Sequence, residues 1–206
     1  MKPLPTILWL AFVLLLVGCS RPSTTPALPT AATIPITQPT PGQDFLYQSS
    51  VGGEPRTGGS WITWSSCGEN SQAAVAKANG GRQAGWIILD DLLADPGVLV
   101  GALQVESCPQ GVALLQGRDT SGFDHNNDPA YLLAGQLLAA QLNLAAGAET
   151  CPAAETAVQA AQLLLLSVGF NGAGLYLGPP AAHQDVETAK ILVGQLQNYN
   201  VGALCR

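Results

Sequence analysis

Asp128-Pro129-Ala130-Tyr131-Leu132-Leu133-Ala134-Gly135-Gln136-Leu137-Leu138-Ala139-Ala140-Gln141-Leu142-Asn143 is the stretch on which the fold turns. Asp128 has the side chain of an N-cap, and Pro129 stands at the first helical position, where a missing N–H is tolerated. The run therefore predicts a helix from Pro129 toward Gly147. Apart from Gln136, Gln141 and Asn143 it is apolar on every side, so neighbouring elements must wrap it. A membrane span is the competing reading. Three amides and the glycines within one stretch favour a central core helix instead.

Working outward, Pro152 opens a second helix behind Cys151 and Gly169 ends it. Glu155, Gln159 and Gln162 are spaced to form one wet stripe on a cylinder of Ala and Leu. A last helix carries Val186, Ala189, Val193 and Leu196 on one face, with Glu187 and Lys190 paired on the other. The glycine-rich Gly169-Phe170-Asn171-Gly172-Ala173-Gly174 follows a helix rather than a strand, which excludes a dinucleotide-binding loop and suits a turn. Toward the N-terminus, Pro109 to Gln116 behind Ser107 predicts a shorter helix, and Val98 to Val105 a small hairpin around Gly101. The fold class expected is mainly α, with at most this short β-hairpin.

Five cysteines are present, and setting Cys19 aside leaves Cys67, Cys108, Cys151 and Cys205. An even number in an exported chain predicts two disulfides. Three connectivities exist; the sequential one, Cys67 with Cys108 and Cys151 with Cys205, is expected because each bridge would staple one half of the domain. Separations of 41, 43 and 54 residues contain no short ligand pair of the kind a zinc site uses.

Upstream of this domain the chain changes character twice. Lys2 is the only charge ahead of an apolar core from Ile7 to Val17, too short to span a bilayer. From Ser20 to Gln43, six prolines, six threonines and two serines fill 14 of 24 positions. That composition predicts a disordered, polyproline-like tether reaching at most ~75 Å at about 3.1 Å per residue. A flexible Gly-rich segment over residues 44–60 then follows, including the short cluster Phe45-Leu46-Tyr47, so the folded unit is expected to start near Trp61 and run through residues 61–206.

Leu16-Val17-Gly18-Cys19, directly behind the apolar core, resembles a bacterial lipoprotein signal. The resemblance implies removal of residues 1–18 and acylation of Cys19 by diacylglycerol and a further chain such as palmitate, enough for stable anchoring. Ser20 rather than Asp follows, which by the same resemblance implies the outer membrane where a second membrane exists. A second resemblance covers Gly85 to Cys205: Gly85-Trp86, Leu99-Val100-Gly101, Arg118-Asp119, Asp128-Pro129-Ala130-Tyr131 and above all Gln136-Leu137-Leu138-Ala139-Ala140-Gln141-Leu142-Asn143 are similar to a small module of bacterial surface and secreted proteins. Members often carry equivalents of Cys151 and Cys205, which implies that pair. Many open with Trp-Lys-Asn-His-Pro, whereas Trp86 here precedes Ile87-Ile88-Leu89, so a polar site built there is missing from this chain. The resemblance implies a surface location and no particular chemistry.

Charge and motifs narrow the function further. Eight Lys and Arg against 14 Asp and Glu, with no basic cluster, exclude nucleic acid as a partner. Asp124, Asn126 and Asp128 begin like a calcium loop, but Pro129 stands where that loop needs glycine and Gly135 where it needs glutamate, which leaves these three as candidates for a different calcium geometry beside the plain reading of a solvated loop with a helix cap. His125 and His183 have no nucleophile elbow to serve, and Asp90 and Asp91, adjacent on a helix, point apart. No cofactor motif is present. The reading is a cell-envelope lipoprotein on the extracytoplasmic side, held by its lipid anchor, with a non-catalytic module that binds another envelope protein or a surface polymer or contributes structure. An envelope-acting hydrolase is the alternative.

Overall fold

The computed structural model describes residues 53–94, 96–179 and 183–206; Cys19, the apolar leader, the Pro/Thr-rich tether and Phe45-Leu46-Tyr47 lie outside them. The described elements run α1 (Gly58–Thr63), α2 (Ala73–Ala78), a 3₁₀ turn (Gly81–Ala84), α3 (Leu89–Leu93), β1 (Val98–Val100), β2 (Leu103–Val105), α4 (Cys108–Leu115), α5 (Pro129–Ala145), α6 (Pro152–Ser167) and α7 (His183–Asn200). The two strands form the antiparallel hairpin expected around Gly101, with Val98 opposite Val105 and Val100 opposite Leu103. This is a mainly α domain, and among the described residues no helix is long and apolar enough to cross a membrane.

Helix α5 is the centre. Asp128 caps it, accepting from Ala130 N at 2.9 Å, and Tyr131, Leu133, Leu137, Leu138 and Leu142 are wholly buried along it. Around it lie α1, α3, α4, α6, α7 and β1, the wrapping that an all-round apolar cylinder demands. Helix α7 offers Ala189, Leu192, Leu196 and Tyr199, and α6 offers Ala154, Ala157, Ala161 and Leu165. At Gly135 a Cβ would stand 2.9 Å from the Leu114 carbonyl oxygen, so α4 crosses α5 at a separation only glycine permits.

The three amides of α5 tie the centre to its surroundings. Gln136 Oε1 accepts from Asn200 Nδ2 on α7 at 3.0 Å, and Gln141 Nε2 donates to the Leu99 carbonyl of β1 at 3.1 Å. Asn143, 1% exposed, is fully used: its Oδ1 accepts from Arg56 N at 2.8 Å and Trp61 Nε1 at 3.0 Å, while its Nδ2 donates to Arg56 O at 2.9 Å and Asn200 Oδ1 at 3.0 Å. A buried amide with every lone pair and proton matched loses little on leaving water and specifies one arrangement of the chains around it.

All four domain cysteines are paired sequentially. Cys67–Cys108 joins the turn after α1 to the start of α4, and Cys151–Cys205 joins the start of α6 to the residues beyond α7. Each bridge staples a different half.

Three expectations need revision. The fold starts before Trp61: Thr57 caps α1, Gly58 begins it, and Arg56 bonds into the core, because an amide of α5 supplies partners for its backbone. Gln162 is no part of a wet stripe. It is half-buried, with Oε1 accepting from Gly101 N and Nε2 donating to Gly101 O, both at 3.0 Å, so it satisfies the hairpin turn; Leu163 beside it is exposed instead. On α7 the buried face is Ala189, Leu192, Leu196 and Tyr199, leaving Val186 and Val193 at its half-buried margins.

Candidate functional site

The polar run from Asp119 to Asp128 folds onto itself. Asp119 Oδ1 accepts from Ser121 N and Phe123 N, both at 2.9 Å, and its Oδ2 lies 3.1 Å from His125 Nε2. Desolvation pushes the Asp119 pKa up, but the hydrogen bonds from Phe123, His125 and Ser121 outweigh it and hold the carboxyl below its usual range. His125 stacks on Tyr131 with ring centroids 4.5 Å apart, and Tyr131, its phenol pKa raised by burial, donates to Gly174 O at 3.0 Å. Phe170 and Tyr176 complete this aromatic cluster. Thr120 N–H donates to Gly172 O, and Gly172 has φ +79° where a Cβ would come within 2.8 Å of Leu103. The glycine-rich segment is thus a turn that closes on the 119–128 loop.

The three calcium candidates are engaged separately in this geometry. Asp128 is 2% exposed, with Oδ1 accepting from Ala130 N and Leu177 N and Oδ2 from Tyr176 N at 2.7 Å. Three backbone N–H groups take three of the roughly four lone-pair sites of this carboxylate, which makes it a helix cap and an anchor for the 176–177 backbone. Asp124 and Asn126 are exposed, and Asp124 Oδ1 accepts from Asn126 N as an Asx turn does. Among the described residues no group of three or more His, Cys, Asp or Glu could hold a metal ion.

The same loop gives His125 an acid partner without a nucleophile. Thr120 Oγ1 donates to Gly172 O, and among the described residues no Ser, Thr or Cys side chain is hydrogen-bonded to His125. His183 is exposed in the first turn of α7, far in role from either. Asp90 and Asp91 do point apart: Asp90 takes Ser66 N at 2.8 Å and the Ser66 hydroxyl, whereas Asp91 Oδ2 takes Ile88 N at 3.2 Å.

A groove lies elsewhere, where α2, the 3₁₀ turn and α3 meet. It measures about 440 Å³ and is lined by Ala73, Ala76, Lys77, Arg82, Trp86, Ile88 and their neighbours Ser66, Ala74, Gly81 and Asp91. Trp86 is set there by an aromatic ladder. The Arg56 guanidinium sits 4.8 Å from the Trp61 ring and 4.7 Å from the Trp64 ring, and Trp64 stacks on Trp86 with centroids 5.2 Å apart. Arg56 Nη1 also donates to Ile87 O at 2.9 Å, fixing the 85–88 segment, and burial lowers the guanidinium pKa from its ordinary value. One face of Trp86 is therefore covered by Trp64, and the half-buried side chain lines the groove. Two smaller cavities, of about 210 and 70 Å³, lie beside the Gly53–Glu54 segment; neither these nor the groove is lined by His125 or His183. Sequence reading misses the groove because three short segments build it, none long enough to show a period; the Trp64 and Trp86 pair was the one available signal. No family model, curated protein or solved structure matches the chain.

Proposed function

We propose that the protein is a cell-envelope lipoprotein, anchored through acylated Cys19 on the extracytoplasmic side and, where two membranes exist, on the outer one. Its helical domain acts as a non-catalytic binding module toward an envelope component. The observation that carries the binding reading is the Trp86 groove: a concavity in the range of about 300–1,000 Å³ typical of ligand sites, with apolar walls and charged groups at its rim. Closed cysteine pairs suit an oxidising compartment. A surface location is also what the resemblance over Gly85 to Cys205 implies.

Two measurements test this. Mass spectrometry of the native protein should find a lipid-modified cysteine as the mature N-terminus, and Cys19→Ser should release or leave unprocessed the chain; a mature N-terminus elsewhere refutes the anchor. The released Cys19→Ser protein should co-sediment with purified envelopes, and Trp86→Ala should abolish this. A hydrolase acting on envelope material is the second reading, favoured by the contact between His125 and Asp119. It requires instead that His125→Ala abolish turnover of an envelope polymer while co-sedimentation persists.

A further inference from the structure

We infer that the Cys67–Cys108 bridge is a site of thiol–disulfide exchange, opened in the folded domain by a dithiol reductant that attacks the Cys67 sulfur and expels Cys108 as the thiolate. The inference is independent of the groove and of the binding reading. Three observations carry it. First, the two ends of the bridge differ in access: Cys67 is exposed, whereas Cys108, the first residue of α4, is 9% exposed. Exchange proceeds by attack of a thiolate on one sulfur with departure of the other, so access decides which sulfur is attacked. Burial closes the approach to Cys108 and leaves the approach to Cys67.

Second, the departing sulfur already has a donor. Cys67 N–H donates to Cys108 Sγ at 3.3 Å. A hydrogen bond to a sulfur that gains negative charge favours its thiolate, and a better-stabilised thiolate leaves faster. Third, the segment around Cys67 is tied down without the bridge. Gly68 N–H donates to Ser65 Oγ at 2.9 Å, the Ser65 hydroxyl to Ile62 O at 2.6 Å and Gln72 N–H to Thr63 O at 2.7 Å, while Asp90 accepts from Ser66 N–H at 2.8 Å and from the Ser66 hydroxyl. These bonds hold residues 62–72 when the sulfur–sulfur bond breaks. The Cys67 N–H therefore stays beside Cys108, and exchange needs no unfolding.

The chemistry balances with the dithiol alone. Its first thiolate bonds to Cys67 Sγ as the bond between the two protein sulfurs breaks; Cys108 leaves with the electron pair and then takes a proton. Its second thiol, having lost its proton, attacks the first and displaces Cys67 from the mixed disulfide, and Cys67 takes a proton in turn. The dithiol ends as a disulfide, and the protein pair has gained two electrons and two protons.

The test uses the full-length Cys19→Ser chain, so that the four bridged cysteines are the only ones present. The folded protein is held in excess glutathione, quenched with acid, then denatured and alkylated. Peptide mass spectrometry should find glutathione on Cys67 and the alkyl group on Cys108; the reverse placement would overturn the direction of attack. With dithiothreitol, opening of this bridge should rise in proportion to reductant and change by less than about twofold in urea below the unfolding transition, and the opened chain should keep the parent's circular dichroism. A rate that levels off at high reductant, or climbs steeply with urea, would show that the bridge opens only through unfolding and would refute the inference.

Discussion

Asn143 satisfies four groups with one amide, two of them buried and two part-buried, so replacing it strands the Arg56 backbone, the Trp61 indole N–H and the Asn200 carboxamide together. Unsatisfied buried donors and acceptors cost roughly 1–3 kcal/mol each, and some relax toward water. Asn143→Ala should therefore cost about 3 kcal/mol or more by urea denaturation; a loss near 0.5 kcal/mol, typical of surface changes, would show that the network does not hold the N-terminal segment. Asp119 makes a different prediction, through pH. Its folded pKa lies below the ordinary carboxylate value, so the stability it contributes is fully present above about pH 3.9 and is lost as pH falls through the lowered folded value. Asp119→Asn keeps an oxygen for Ser121 N and Phe123 N but removes the charge. Its melting temperature should fall less than the parent's on going from pH 5 to strongly acid solution, and parallel curves would contradict the assignment.

At the scale of the element, one substitution has opposite signs on two helices. Alanine normally stabilises a mid-helix glycine position by roughly 0.5–1 kcal/mol through reduced backbone entropy. On α7 a Cβ at Gly194 meets nothing within 4 Å, so Gly194→Ala should stabilise by about that amount. On α5 the Cβ at Gly135 would meet the Leu114 carbonyl oxygen at 2.9 Å, backbone that moves only if α4 moves. Gly135→Ala should destabilise by about 1–3 kcal/mol. Cavity formation separates buried from exposed leucines in the same way. Leu137→Ala, at 0% exposure on α5, should cost about 2–5 kcal/mol. Leu163→Ala, at 66% exposure on α6, should change stability by less than about 0.5 kcal/mol. Denaturant unfolding of the four variants checks the assignment of α5 as the core.

For the whole molecule, the two disulfides divide the labour. Each closes a long loop, of 41 and 54 residues, and in the chain-entropy account each contributes roughly 4 kcal/mol by restricting the unfolded chain. Non-reducing peptide mapping should link Cys67 to Cys108 and Cys151 to Cys205. Cys151→Ser with Cys205→Ser should loosen the C-terminal turn, where Tyr199 donates to Glu149 O, and lower stability by about that amount. A cross-half linkage would overturn the pairing.

Helix α5, its cap, the hairpin at Gly101 and the proline-led helix α6 were legible in the sequence because each is a local property: a cap residue and proline at fixed offsets, a hydrophobic period, a glycine between two apolar runs. Cysteine parity was legible for the same reason, as a count. What only tertiary structure decided are the partners of polar groups. Nothing near Gln162 in the chain announces that its amide closes the turn at Gly101, 61 residues away, and nothing near Asn143 announces Arg56, 87 residues away. Asp128 reads in the sequence as a helix cap, and only the fold brings Tyr176 and Leu177 to its carboxylate from 48 and 49 residues on. The groove at Trp86 belongs to the same class, since residues of α2, the 3₁₀ turn and α3 line it together and Trp86 stacks there on Trp64, 22 residues away. Local pattern determines which elements form, because backbone hydrogen bonding and side-chain period act within a few residues. Which buried polar atoms are satisfied, and which surfaces stay concave, is settled only when distant segments are brought together.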